Sequence, residues 1–173
     1  MDVSARRAGD SDATPLAVLR RTAHEAVLSE RSGPLHLRVE HLASPVVGSG
    51  EHDAGEHDAG EREQRRPGSV EPEPLVAVAE IDGVVVGFLE AELLAIHGER
   101  PLCRVSALYV EPAAREVGAG EALMDLVSSW ASGRGAVGID VLALPGAREV
   151  KNFLESAGYV ARLIVMHRPL EGA

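Results

Sequence analysis

Ser106-Ala-Leu-Tyr-Val-Glu-Pro-Ala-Ala-Arg-Glu-Val-Gly-Ala-Gly-Glu-Ala-Leu-Met124 carries the chain from an apolar strand, through a short loop, into a helix. Val105, Ala107, Leu108 and Val110 read as a buried strand, Glu111-Pro112 ends it, and from Gly120 the apolar residues recur at helical spacing. Within the turn, Arg115, Gly118 and Gly120 make the pattern Arg-x-x-Gly-x-Gly, whose missing Cβ atoms let a ligand approach the backbone. The first amides of a helix have no acceptor within it, so the N–H groups of about residues 117 to 121 point outward. Together with the helix dipole they favour a di-anion such as a pyrophosphate, to which Arg115 can add a charge-assisted contact. The competing reading of an isolated Gly-x-Gly is a turn that uses glycine for its shape alone.

Here the pattern has a longer context. Leu108-Tyr109-Val110-Glu111-Pro112, then Arg115-x-x-Gly118-x-Gly120 and Leu123, resembles the acetyl-CoA-binding core of the Gcn5-related N-acetyltransferase (GNAT) family. Two other phosphate motifs fit less well: there is no Gly-x-Gly-x-x-Gly, and no Lys-Ser/Thr pair follows the second glycine.

Downstream of the turn, Leu123, Leu126, Val127 and Trp130 lie on one helical face, and Gly133 to Gly135 end the helix. Residues 136 to 144 read as another apolar strand, so 103 to 144 form a βαβ crossover whose two strands run parallel. Pro145-Gly146 turns the chain, 149 to 157 read as a helix with Val150, Phe153 and Leu154 apolar, Gly158 caps it, and 160 to 168 read as a closing strand.

Upstream, 75 to 81 and 84 to 94 read as antiparallel strands joined by an Asp82-Gly83 hairpin turn. Val3 to Arg7 read as a first strand, and a helix is expected from about 15 to 29, with Thr14 as its cap and Pro15 at its first position. A short second helix is expected over about 34 to 42, and His24, His36 and His41 read as surface or capping residues. From Pro45 to Pro74 large apolar residues almost vanish, and the segment reads as a mobile acidic loop inserted in a single domain of residues 1 to 173. It repeats Gly-Glu-His-Asp-Ala, so His52, Asp53, His57 and Asp58 offer metal-ligand chemistry, but without a scaffold a solvated linker is the better reading and no metal is assigned.

The 173 residues, 45% hydrophobic, suit one domain with a proper core. No apolar run reaches a membrane span, no secretory segment opens the chain, and the reading is cytoplasmic. Cys103 is the only cysteine, which leaves no internal disulfide framework, and it reads as a small buried apolar residue rather than a reactive thiol. The net charge of −10 argues against a general nucleic-acid binder and is compatible with a cationic substrate. Half of it is local, because 45 to 74 hold eight acids and three arginines.

The element order is that of the acyl-CoA N-acyltransferase (GNAT) fold: α/β in class, a mixed, mostly antiparallel sheet flanked by helices. The resemblance implies that strands 103–110 and 136–144 splay apart and that acetyl-CoA, as co-substrate, lies in the gap. Carried over by position, the backbone of Leu108, Tyr109 and Val110 would hold the acetyl end and pantetheine. Arg115, Val117, Gly118, Ala119, Gly120 and Glu121 would hold the pyrophosphate. Gly158-Tyr159 matches the family's Gly-Phe pair. Two departures stand out: where the family often has Asn at the start of the last helix and Tyr one turn before the Gly-Phe pair, this chain has Ala147 and Leu154. Leu154 removes the usual general acid.

The reaction implied is direct attack of a neutral primary amine, from a small molecule or peptide, on the thioester carbonyl, with the oxyanion held by a backbone amide of the 108–110 strand. For the base, Glu90 and Glu92, two apart on one strand, share a face and are the candidates, with solvent-facing charges as the competing reading. Tyr109 and His97 have less support. Three readings stay open: an N-acetyltransferase, a catalytically degenerate acyl-CoA-binding regulatory domain, and an acidic interaction module built on 45–74. A homodimer is compatible with the sequence.

Overall fold

The computed structural model describes residues 1–30, 33, 34, 36, 37, 73–95, 100–166 and 168. Among the described residues, five strands form one sheet in the order β1 (Val3–Arg7), β2 (Leu75–Ile81), β3 (Val84–Leu94), β4 (Leu102–Val110) and β5 (Ile139–Val141). The first four run antiparallel to their neighbours, and β5 lies parallel to β4. Among the described residues, three helices with defined ends accompany them: α1 (Ala13–Ser29) between β1 and β2, α2 (Ala119–Ser132) between β4 and β5, and α3 (Arg148–Ser156) after β5.

The β2–β3 turn follows its sequence closely. Ile81 faces Val84 across Asp82 and Gly83, whose φ angles of 50° and 80° are both positive, as a two-residue turn of the right twist demands. Asp tolerates the left-handed region and Gly enters it freely, so the register of the whole hairpin is set there.

Both faces of the sheet are covered. On one, Leu75, Ala77, Leu89, Ala91, Cys103 and Val105 pack with Leu123, Met124, Val127 and Trp130 of α2 and with Leu154 of α3. On the other, Val78, Phe88 and Tyr109 pack with Leu16 and Leu19 of α1. The mixed α/β architecture expected from the element order is what forms. No helix among the described residues is long and apolar enough to cross a membrane.

Helix α1 begins earlier than Thr14-Pro15 suggests. Its N-cap is Asp12, which follows a 3-10 turn over Asp10–Asp12, and Pro15 is the third helical residue. Proline is tolerated there because no N–H of the first turn has a helical acceptor. Asp12 is buried, and its carboxylate receives the Gly9 N–H at 2.7 Å and Arg6 Nη1 and Nη2 at 2.6 and 2.8 Å. Glu80 of β2 also accepts from Arg6 Nε, at 3.1 Å, so one guanidinium joins β1, β2 and the start of α1.

Two expectations at the C-terminal end need correction. Residues 136 to 144 supply only three strand residues, Ile139–Val141. The closing strand expected over 160 to 168 does not form: residues 160 to 166 have no regular structure, and Val160, Leu163, Ile164, Val165 and Met166 are 71% to 87% exposed. An apolar, β-branched run supplies propensity but not a partner, and no described strand pairs with it. Its tie to the sheet is the ion pair of Arg162 with Asp140 of β5. Helix α3, by contrast, ends as its sequence suggests. Gly158 takes φ 85°, and the Tyr159 and Gly158 N–H groups return to the Leu154 and Glu155 carbonyls at 2.9 and 3.1 Å.

Gly33, Pro34, His36 and Leu37 are helical, in line with a second helix. The rest of that helix with His41, most of the 45–74 segment with His52, Asp53, His57 and Asp58, and His97 lie outside the described residues.

Candidate functional site

Strands β4 and β5 stay together for three residue pairs only, Cys103 with Ile139, Arg104 with Asp140, and Val105 with Val141. Beyond Val105 the β4 strand continues to Val110 while the other arm leaves through Leu142 and a turn at Pro145-Gly146, where Gly146 has φ 110°. The parting coincides with a β-bulge on the opposite side of β4. Its register with β3 slips between Glu90, which faces Ala107, and Ala91, which faces Val105, so Ser106 is the extra residue.

That extra residue changes which side chains point where. Cys103 and Val105 belong to the α2 face, and beyond the bulge Leu108 and Val110 do, whereas Ala107 and Tyr109 face α1. The backbone alternates as well. Glu111 donates its N–H to Val86 O at 2.9 Å, so the facing pair Gly87 and Val110 does not bond to each other and the pair Phe88 and Tyr109 does. The N–H and C=O groups of Leu108 and Val110 therefore turn to the edge that β5 has left. Val110 confirms the direction, since its carbonyl accepts from Arg115 Nε at 3.2 Å.

From this edge the chain enters a 3-10 turn, Pro112–Ala114, and then the start of α2. Glu116 and Gly118 have φ angles of 67° and 95°. Gly118 is the N-cap of α2, and its left-handed backbone is what requires glycine there. A Cβ at Gly118 would meet no described atom within 4 Å. Glu116 carries a side chain into the same unfavourable region, a local strain of the kind that collects at binding loops. Ala122 is the first residue whose N–H reaches back to a helical acceptor, Gly118 O at 3.0 Å. The amides of Ala119, Gly120 and Glu121 precede it and have no acceptor within the helix.

Gly120 serves a different end. A Cβ there would stand 3.1 Å from Cζ and 3.3 Å from Cε2 of Phe153, so this glycine lets α3 pack against the first turn of α2. Arg115 also departs from the simple picture. Besides Val110 O, its guanidinium binds Glu149 of α3, with Nη1 2.8 Å from Oε2.

The two candidate bases share the α1 side of the sheet, as their spacing requires, but each has an arginine partner. Glu90 pairs with Arg20 of α1 at 2.6 Å, and Glu92 with Arg104, its cross-strand neighbour, at 3.0 Å from Nε. Tyr109 is 9% exposed and its ring lies 6.4 Å from that of Phe88, which makes it part of the core against α1. Leu154 is likewise buried, so the residue at the position of the family's tyrosine is a packing residue here. Tyr159, just beyond it, has its phenol pushed up chiefly by burial. The Cys103 thiol is buried and pushed up to about 11, chiefly by burial and then by Asp140.

Sequence reasoning missed the bulge at Ser106, the partners of Arg115 and the packing role of Gly120. The bulge leaves a readable trace: the apolar positions Cys103 and Val105 change parity to Leu108 and Val110, with a polar Ser106 between them. The Arg115–Glu149 and Gly120–Phe153 contacts reach 34 and 33 residues along the chain, and no local pattern encodes them.

Comparison with known proteins agrees with this architecture. Residues 72–161, more than half of the chain, match the family model described as Acetyltransferase (GNAT) domain. A search of curated protein sequences finds no match. Among solved structures, AAC(6')-Iy in complex with a bisubstrate analog, CoA-S-monomethyl-acetylneamine, shares 15% identity at a TM-score of 0.64, over 98% of this chain and 99% of that one. The aminoglycoside acetyltransferase HMB0005, from an uncultured soil metagenomic sample, shares 20% identity at a TM-score of 0.61 over the whole of both chains. The ribosomal-protein-alanine N-acetyltransferase of Brucella melitensis biovar Abortus 2308 shares 17% identity at a TM-score of 0.63, over 98% of this chain and 100% of that one. These likenesses are of fold. With the family match, the forked sheet and the glycine turn that leads from its open edge into α2, the chain belongs to the GNAT acetyltransferase family.

Proposed function

We propose that the protein transfers an acetyl group from acetyl-CoA to a primary amine of a small molecule or peptide by direct attack. The observation that carries this reading is the parting of β4 and β5 after Val105 and Val141, which frees the backbone of Leu108 and Val110 beside the α2 N-terminus. A pantetheine arm, with two amides of its own, can pair with such an edge as an added strand would. The Val117 to Glu121 turn supplies donors for the pyrophosphate, and Gly118 leaves the approach to them clear.

Acetyl-CoA supplies the thioester carbonyl. The chain's part is to hold that carbonyl against an amide of the Leu108 to Val110 edge, so that an N–H meets the charge that develops on oxygen. One such preorganised donor is worth roughly 3–4 kcal/mol in acyl transfer. Glu90, opposite Ala107, and Glu92, opposite Arg104, are the candidate carboxylates on the neighbouring strand. Glu90 is paired with Arg20 and Glu92 with Arg104, so either pair must open for the carboxylate to reach a substrate. Leu154, at the position of the family's tyrosine, is packed in the core, which leaves solvent or another group to supply the proton for the departing thiolate.

The chain's acidity suits a cationic acceptor, and the named activities of the structural relatives, aminoglycoside and ribosomal-protein alanine acetylation, are both amine acetylations. A second reading, an acyl-CoA-binding regulatory domain without turnover, draws on the buried Leu154 and the paired glutamates. The two separate in one assay: thiol release from acetyl-CoA over a panel of aminoglycosides, polyamines and amino-terminal peptides. Amine-dependent release supports the transferase. Tight acetyl-CoA binding with no release from any amine supports the regulatory domain.

A further inference from the structure

Arg115 invites assignment as the phosphate-binding cation, because it opens the Arg-x-x-Gly-x-Gly turn. Its geometry gives it another task. Of its donors, Nε is spent on Val110 O at 3.2 Å and Nη1 on Glu149 Oε2 at 2.8 Å. Val110 ends one arm of the fork and Glu149 sits in the first turn of the helix that follows the other. Among the described residues, Arg115 makes the one hydrogen-bonded tie between the end of β4 and α3.

We propose that Arg115 is a positioning residue, a clamp that holds the open edge of β4 at Val110 against α3 through Glu149, and not the cation that binds the cofactor's phosphates. This rests on the acyl-CoA reading of the same site. Three features support it. The carbonyl that Arg115 holds belongs to the peptide plane next to the amides proposed to receive the oxyanion, so the clamp fixes their direction. The guanidinium fork is suited to hold two acceptors at once, which a lysine ammonium on its flexible stem does less well. The α2 N-terminus already provides the anion site, so a di-anion there does not require Arg115.

The two roles differ in which donor they affect. A phosphate ligand acts only on donors that carry phosphate, whereas a clamp acts at the thioester end. The test compares acetyl-CoA with acetylpantetheine, which lacks the pyrophosphate, using the wild type, Arg115→Ala, Arg115→Lys and Glu149→Ala. Affinities come from competition and turnover from thiol release with whichever amine the panel identifies. The clamp predicts that Arg115→Ala lowers kcat about tenfold with both donors, that Arg115→Lys does not restore it, and that Glu149→Ala lowers it in the same direction. Arg115 and Glu149 are exposed, so the variants should keep the wild-type Tm, which separates lost positioning from lost folding.

A loss confined to the KM or affinity for acetyl-CoA, rescued by lysine, with acetylpantetheine unaffected, would overturn the clamp in favour of a phosphate ligand. Tighter acetyl-CoA binding by Glu149→Ala would do so as well, since it would show Glu149 competing with phosphate for Arg115. Failure of the underlying reading looks different: the wild type itself would bind and turn over neither donor.

Discussion

A Cβ placed on Gly120 would stand 3.1 Å from Phe153 Cζ, so the second glycine of the turn is matched to an aromatic ring on the neighbouring helix. The two glycines of one short pattern thus answer to different physics: Gly118 to a backbone angle of 95°, Gly120 to the closeness of α3.

This relationship predicts that Gly120→Val destabilises the fold by about 1–3 kcal/mol, the usual cost of overpacking a fitted contact. Phe153→Ala opens the space again, so the double variant should lose less than the sum of the two single losses. Chemical denaturation of the four proteins measures the coupling. Strict additivity would mean that the ring and the glycine do not constrain each other.

At Gly118 the expected effect falls on binding first. Gly118→Ala must place a Cβ in the left-handed region at a cost of roughly 1–2 kcal/mol, and the turn can relieve it by rotating the Ala119 and Gly120 amides away. Acetyl-CoA affinity should fall while far-UV circular dichroism stays that of the wild type. Unchanged affinity would mean that these amides are not the phosphate donors.

How much of this could be read from the sequence follows from the range of each interaction. The β2–β3 hairpin was legible because Asp82-Gly83 encodes its own turn, and the strand-to-helix turn because Arg115, Gly118 and Gly120 stand within six residues. Helix α3 was legible through Val150, Phe153 and Leu154 and the Gly158 cap. The segment Val160 to Met166 was misread as a strand because its β-branched composition reports propensity and says nothing of whether a neighbouring strand accepts it. The arginine partners of Glu90 and Glu92 were hidden because Arg20 lies 70 residues from Glu90 and Arg104 lies 12 from Glu92 across a bulged pair.

The Arg6 and Asp12 pair predicts a specific acid limb. Hydrogen bonds from Arg6, then from the Gly9 N–H, hold the Asp12 carboxyl at about 2, below its ordinary value near 3.9. A carboxyl with a depressed folded pKa stabilises the native state above its unfolded pKa, and that contribution is lost as pH falls toward the folded value. The stability gap between wild type and Asp12→Asn should therefore be constant above about pH 5 and shrink between about pH 4 and pH 2. Urea titrations across that range measure it; a gap that does not change with pH would remove the carboxylate from the account.

Cys103 should be inert in the native protein. Its thiol is buried and pushed up to about 11, so almost no thiolate exists at neutral pH. A thiol reagent should label it only after denaturant is added, and Cys103→Ala should retain acetyl-CoA binding. Rapid stoichiometric labelling of native protein at pH 7 would contradict the burial on which this rests.

The family match begins at residue 72, after the acidic repeat segment. Deleting residues 48–70 should accordingly leave acetyl-CoA affinity within about twofold of the full chain, measured by titration calorimetry. Loss of binding in a folded deletion protein would make that segment part of the site.

The central claim is that the gap between β4 and β5, with the turn at Gly118, holds an acyl-CoA. Calorimetric titration of the full chain with acetyl-CoA and CoA, alongside Gly118→Trp, tests it most directly. The account predicts saturable one-to-one binding by the wild type and its loss in a variant whose circular dichroism is unchanged. A well-folded wild type that binds neither acetyl-CoA nor CoA would contradict it.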